Sequence, residues 1–296
     1  MPRSARWSPR RRVRSTPPDA REPLGSPLGP RHPAVRRLRE LLRDRSTRAQ
    51  EHTFVVEGPR AISGALDRAA PLDAVYLGPN AEYAFAPLIA RVRAAGVPLE
   101  HLKDGVLERI GTTVTPQPVL ATAPMATVAP SDLRGTGLVL VAVGIADPGN
   151  LGTLLRSAEA AGASGMVIEA GSVDAYNPKV VRASAGAIFG VPLVQASIGE
   201  GWSVMDALDE LRGAGRTTYG TRAAGGVAPD AVDFTEPAAV LLGNEAHGLA
   251  DDVARRVDGW ISIPMAGPAE SLNVAMAGTV VCFEAARQRA HARGAQ

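Results

Sequence analysis

Cysteine is nearly absent: Cys282 is the only one in 296 residues. A single thiol cannot close an internal disulfide, so the fold rests on a packed core and makes no demand on an oxidising compartment. Lysine is almost as scarce, at Lys103 and Lys179 only, so nearly all of the 32 cationic side chains are arginine. No apolar run approaches the roughly 18 residues of a membrane helix. The arginine-rich N-terminus lacks the apolar core of a secretory signal. These absences lead to the expectation of a cytoplasmic protein with no membrane partner. Zinc-binding HExxH is missing, as are the phosphate-binding GxxxxGK[ST] and the dinucleotide-binding GxGxxG. No metal is expected, and a Rossmann-type nucleotide enzyme fails at its first strand–loop–helix.

What is present is an ordinary globular composition, 45% hydrophobic, on a chain long enough for about two domains. The charge is uneven. Residues 1–48 hold fourteen arginines against Asp19, Glu22, Glu40 and Asp44, yet the whole chain carries only +2, so the remainder is net acidic. A basic arm on an acidic body suits a polyanion partner. A solvated tail in a chain that favours arginine accounts for it equally well.

Residues 1–32 are rich in Pro, Arg, Ser and Gly and are expected to be a disordered basic tail. From Ala34 onward Leu38, Leu41 and Leu42 recur at helical spacing. Strands at Phe54–Gly58 and Ala74–Leu77 then alternate with helices at Pro59–Ala70 and Phe85–Ala95, which predicts a small α/β unit over 33–124. A Pro/Ser/Gly/Asp-rich linker, 125–136, precedes a second α/β unit, 137–296. Its predicted strands are Leu138–Val143, Gly165–Glu169, Pro192–Gln195, Thr217–Gly220, Ala239–Leu242 and Trp260–Ile263. The helices between them are Leu151–Ala161, Pro178–Phe189, Val204–Leu211 and Ala250–Arg256, and Ser271 to about His291 forms a closing helix. Short, continuously apolar strands between helices indicate a buried, mainly parallel sheet.

Ligands of such sheets gather at the carboxyl ends of the strands, and three strands here end in unusual loops. Val143-Gly-Ile-Ala-Asp-Pro-Gly-Asn-Leu-Gly152 has glycines that admit close backbone approach. It runs into a helix whose N-terminus offers free N–H groups and which carries Arg156 one turn in, near its start, a bidentate phosphate ligand by type. On spacing alone, a tightly turning loop with Arg156 merely solvated is the slightly better reading. Leu241-Leu-Gly-Asn-Glu-Ala-His-Gly248 exposes Glu245, which equally fits a helix-capping carboxylate. Ile263-Pro-Met-Ala-Gly-Pro leads to Ser271, a candidate cap for the last helix with Asn273 in its first turn. Cys282 lies mid-helix and reads as a small core residue, not a nucleophile. Trp202 and Trp260 flank strands and read as packing residues. His32, His52, His101 and His291 lack partners at catalytic spacing.

Together the loops resemble the three signature motifs of the SpoU, or TrmH, family of SPOUT methyltransferases: Asn150–Arg156, Gly243–Leu249 and Ile263–Val274, in that order. Residues 34–123 are similar, more loosely, to the family's N-terminal RNA-binding domain, an L30e-like module. The resemblance implies an α/β protein whose C-terminal, mainly parallel sheet is tied in a trefoil knot, an arrangement otherwise nearly unknown in proteins. It implies a homodimer; the apolar face of the last helix (Val274, Val281, Phe283) suits such an interface, and core packing explains it equally well. S-adenosyl-L-methionine (AdoMet) is the implied methyl donor, held by Leu242, Gly243, Ile263, Met265, Leu272 and Asn273. The implied catalytic set is Arg156, Asn150, Glu245, Ser271 and Asn273. Arg156 deprotonates the ribose 2′-OH or orients phosphate, and Glu245 holds neighbouring groups, Arg156 included. Asn244, Ala246 and His247 fall at variable motif positions.

The implied activity is RNA 2′-O-ribose methylation, with 23S-type ribosomal RNA favoured. A tRNA ribose methyltransferase and a thiopeptide-resistance rRNA methyltransferase share this layout. A catalytically silent RNA-binding or ribosome-assembly protein is the non-enzyme alternative, against which the intact motif residues speak.

Overall fold

The computed structural model describes residues 26–112, 115–133, 135, 137–195 and 203–294. The greater part of the expected basic tail (1–25), linker residues 134 and 136, and Trp202 lie outside the described residues.

The first unit runs α1 (Pro33–Arg43), α2 (Arg45–Glu51), β1 (Thr53–Glu57), α3 (Pro59–Asp67), β2 (Ala74–Leu77), α4 (Ala81–Ala84), α5 (Ala86–Ala94), β3 (Leu99–His101), α6 (Val106–Ile110) and β4 (Val119–Pro124). Its sheet has the order β1-β4-β2-β3, with β4 antiparallel to both neighbours. The second runs β5 (Leu138–Ala142), α7 (Pro148–Ala160), β6 (Gly165–Ile168), α8 (Pro178–Ser184), β7 (Leu193–Gln195), α9 (Val204–Gly213), β8 (Thr217–Thr221), β9 (Ala238–Leu242), α10 (Asp251–Ala254), β10 (Gly259–Ile261) and α11 (Val274–Gly294). Its six strands are ordered β10-β8-β9-β5-β6-β7, and every pairing is parallel. β5 and β9 are buried at every position, as their unbroken apolar sequences require of strands covered on both faces. The chain's direction of progress across the sheet reverses beside β5, where open α/β sheets form their binding crevice.

The two sheets share one core. Phe54 and Val56 of β1 belong to the same buried cluster as Leu138 and Leu140 of β5. The Phe54 ring lies 4.7 Å from that of Tyr176, and the Tyr176 hydroxyl donates to the Ala126 carbonyl at 2.9 Å. An ion pair closes the junction: Arg48 Nη2 sits 2.6 Å from Asp174 Oδ2, with the side chains only 4% and 6% exposed. Arg48 also donates to the Leu41 carbonyl, while Asp174 accepts from Gln195 and from the Tyr176 N–H. Nearer the end of β1, Arg182 of α8 reaches the buried Glu57 at 2.8 Å.

Several elements differ from expectation for local reasons. Residues 26–32 are not free: Leu28 is buried and exchanges backbone hydrogen bonds with His101 and Lys103. The helix expected over Pro178–Phe189 stops at Ser184. Ala185 and Gly186 turn left-handed there and set Gly186 against Gly64 of α3, so closely that a Cβ would meet the Gly64 Cα at 3.2 Å. α7 begins at Pro148 and not at Leu151, because Asp147 caps it by accepting from the Asn150 N–H at 2.9 Å. α10 is a single turn, and β10 ends at Ile261, two residues before its predicted limit. α2, α4, α6, β3 and β4 were not anticipated.

β10 is gripped on both edges by one stretch of chain. Ile261 pairs with Thr221 on one side and with Val227 on the other. The intervening residues pass over the strand end, where a Cβ on Gly226 would lie 2.7 Å from the Ile261 carbonyl carbon. The strand is anchored at its start by Asp258, which accepts from Arg212 and from the Thr218 N–H and hydroxyl. Partial burial raises the Asp258 pKa, but those hydrogen bonds outweigh it and hold the carboxyl at about 2.

Candidate active site

The loops after β5, β9 and β10 meet at the carboxyl edge of the parallel sheet, and a line of side-chain hydrogen bonds joins them. Asn273 Nδ2 donates to Asn150 Oδ1 at 3.0 Å, and Asn150 Nδ2 donates to Glu245 Oε1 at 2.5 Å. The amide orientations follow from chemistry. Asn273 Oδ1 is committed to the N–H groups of Ala275 and Met276, leaving its NH2 to face Asn150. A carboxylate oxygen accepts, so Asn150 turns its NH2 toward Glu245. Three residues from the three loops are thereby locked in one order.

This geometry corrects three expectations. Asn273, not Ser271, caps the last helix, which starts at Val274; Ser271 is exposed in the preceding loop. Glu245 caps no helix and holds Asn150, not Arg156. Arg156 lies two turns into α7, not one. Six residues beyond Asn150, it points about 120° away around the helix. Its guanidinium is exposed and has no hydrogen-bond or ion-pair partner among the described residues.

Asn244 was passed over as a variable position, yet it pins the second loop to the first. Its Nδ2 donates to the Gly144 carbonyl at 2.9 Å, and its Oδ1 accepts from the N–H groups of Ala246 and His247. Its backbone pairs both ways with Gly248. An Asn directly after a strand-ending glycine is a turn signal by type and marks this position. Behind it, Glu169 and Ser172 accept from the N–H groups of Gly144 and Ile145. The resulting turn is tight: a Cβ on Gly243 would lie 2.5 Å from the Gly248 carbonyl carbon.

The third loop is open by contrast. Among the described residues, 263–272 make no backbone–backbone hydrogen bond outside regular elements, and none of them is in one. These ten residues of uncommitted backbone carry half-buried Ile263 and Met265 and a 38% exposed Leu272, while Leu242 and Gly243 at the end of β9 are buried. Apolar walls with free backbone donors and acceptors suit a nucleoside-bearing cofactor such as AdoMet, so the residues present fit that group. No cluster of three or more metal-ligating side chains occurs among the described residues.

Cys282 is buried on α11, and burial raises its thiol to about 12, the signature of an inert core residue. Val274 and Val281 also pack into the protein's own core; the exposed apolar positions of α11 are Met276, Val280 and Phe283. Trp260 lies within β10, with the Arg222 guanidinium 4.8 Å from its ring centroid.

A parallel sheet whose last strand is bracketed on both edges by one neighbouring stretch of chain, with three joined loops over its carboxyl edge, fits the knotted α/β, or SPOUT, class of methyltransferase, to which the solved relatives belong. Within it the chain belongs to the SpoU rRNA methylase family, whose model matches residues 137–283, while residues 32–121 match the MRM3-like substrate binding domain. A 23S rRNA (uridine(2479)-2′-O)-methyltransferase of Streptomyces viridochromogenes is 34% identical over 288 residues, 90% of this chain and 97% of that one. A 23S rRNA (guanosine(2553)-2′-O)-methyltransferase of Bacillus subtilis is 28% identical over 243 residues, 82% of this chain and 92% of that one. The solved AdoMet complex of the SpoU methyltransferase AviRb from S. viridochromogenes matches with a TM-score of 0.75 at 32% identity, over 88% of this chain and 99% of that one.

Proposed function

We propose that the chain transfers a methyl group from AdoMet to a ribose 2′-OH of 23S-type ribosomal RNA, acting in the cytoplasm, where that substrate is made, as a homodimer. The observation that carries this reading is the Asn273–Asn150–Glu245 line beside an uncommitted backbone loop. The rRNA-directed relatives with near full-length coverage support the substrate class. Residues 33–124 serve as the RNA-binding part and 137–296 as the methyltransferase part, in keeping with the two family matches.

AdoMet, when bound, supplies a methyl group already activated by its sulfonium. What the chain must provide is a fixed ribose and help for a poor nucleophile. Leu242, Ile263, Met265 and Leu272 wall the cofactor, and Gly243 with the free backbone of 263–272 holds its polar groups. Asn150 and Asn273 orient the ribose, Glu245 keeps Asn150 turned, and Ser271 adds a hydroxyl at the loop end. Arg156 brings a planar guanidinium with paired N–H donors. Its part is to grip the RNA phosphate and stabilise the charge that develops on the 2′-oxygen. The subunit interface uses the exposed Met276, Val280 and Phe283 of α11; Val280 and Phe283 rim an open groove of about 470 Å³ with Pro229, Ile263 and Pro264.

The test is methylation of 23S rRNA and of tRNA with labelled AdoMet, followed by mapping of the modified nucleotide. Arg156→Ala is expected to abolish transfer while AdoMet still binds, and near-normal turnover in that variant refutes the assignment. Sedimentation of Phe283→Asp, expected as monomers against a dimeric parent, tests the interface.

A further inference from the structure

We propose that the outward face of α1 is a second RNA contact, a ridge that grips phosphate backbone away from the methyl-transfer site. The inference rests on the RNA methyltransferase reading and adds a surface to it.

α1 is sharply two-sided. Val35, Leu38, Leu41 and Leu42 are buried against the face of the small sheet that carries Val55, Tyr76 and Leu120. At about 100° per residue, Arg36, Arg39 and Arg43 fall within about 60° of one another, outside that apolar stripe, and all three are exposed. The outer two are seven positions apart, about 10 Å along the helix axis. Arg31 stands exposed in the turn before the helix, and Arg109 beside its end, where its carbonyl lies 3.5 Å from Arg43 Nη2.

Most of the unit's unpaired arginines gather on this face; Arg45 and Arg60 are the unpaired ones outside it among the described residues. Arg37, Arg48, Arg68, Arg91 and Arg93, in the same unit, are each bound to a carboxylate. Arg31, Arg36, Arg39, Arg43 and Arg109 have no carboxylate partner among the described residues, although Glu40 and Glu108 are exposed nearby. Unmatched guanidiniums crowded on one face repel each other, and a line of phosphates relieves that repulsion with bidentate contacts. The sequence leading into this face is of the same sign, with seven arginines against two carboxylates in residues 1–25.

The ridge is also held at a fixed distance from the catalytic loops. Asp44 ends α1 and caps α2 through the N–H groups of Ser46 and Thr47. α2 carries Arg48, locked onto Asp174 in the methyltransferase part. RNA gripped on α1 is therefore presented in constant register to the carboxyl edge of the large sheet.

The test compares the full chain with its Arg36→Gln/Arg39→Gln/Arg43→Gln variant. Glutamine keeps helix propensity, and an unchanged Tm verifies the fold. Binding to a 23S rRNA transcript is measured by filter retention across 50–200 mM salt, with methylation kinetics on the same RNA. Losing three phosphate contacts should lower the slope of log K against log salt by about 2, and raise KM at least about tenfold with kcat unchanged. Arg91→Gln/Arg93→Gln, which removes two arginines already paired, should leave both readouts as in the parent. An unchanged slope and KM in the triple variant, with an active parent, overturns the ridge and leaves that face to an acidic protein surface. A parent that neither binds nor methylates RNA overturns the functional reading and the ridge with it.

Discussion

Asn150 donates its side-chain N–H to Glu245 at 2.5 Å, across 95 residues of sequence. The contact joins the helix after one strand to the loop after its neighbour, and Asn273 extends it to a third loop. Asn150→Asp sets two carboxylates face to face and deletes the donor. Methyl transfer should fall about 100-fold, the usual scale for a lost preorganised donor, with AdoMet affinity little changed. Pairing Asn150→Asp with Glu245→Gln restores a donor across the contact, so the double variant should recover part of the loss. A double variant no better than the single assigns the contact no role in turnover.

Gly243 should be intolerant of any side chain. Ala at this position drives its Cβ into the Gly248 carbonyl and opens the second loop. AdoMet affinity measured by calorimetry should drop more than tenfold, a change of about 1.4 kcal/mol. Gly267→Ala, where a Cβ meets nothing within 4 Å, should bind normally.

The ion pairs should differ widely in worth. Arg48→Ala leaves the Asp174 carboxylate buried without its counter-charge, at a cost of about 3–5 kcal/mol. Arg37→Ala removes a half-exposed pair with Glu51 and should cost less than about 1 kcal/mol. Urea unfolding of the two variants separates these outcomes; equal losses contradict the assignment of the junction to Arg48 and Asp174.

Acid should loosen the edge that holds β10. The folded pKa of Asp258 is about 2, below the ordinary carboxylate value of about 3.9. Its stabilisation is therefore complete above that ordinary value and is lost as pH falls through about 2. Asp258→Asn should melt lower than the parent at neutral pH, and the two melting temperatures should converge between pH 4 and 2.

How far the sequence reveals this molecule depends on the range of each interaction. The Leu138–Ala142 and Ala238–Leu242 strands are legible because burial on both faces leaves an unbroken apolar run. The start of α7 was also legible, since Asp147 and Pro148 are a cap and a first-turn residue, but the neighbouring glycines argued for loop. Asn273 and Ser271 are both good caps by type, and only the contact with Asn150 on α7 shows why Asn273 takes the position. Arg48 looks like any surface arginine until Asp174, 126 residues away, closes over it. The basic face of α1 was visible as a cluster of arginines, but its division into paired and unpaired members was not.

Ile261 has a consequence for how the chain reaches this state. A strand that ends a sheet can zip on last, from solvent. A strand flanked on both edges by Thr221 and Val227 cannot. The segment after α10 and the arch of residues 221–227 that brackets it therefore have to order together. Refolding from denaturant should accordingly show a slow phase independent of protein concentration, and the cofactor cradle of residues 263–272 should appear only after it.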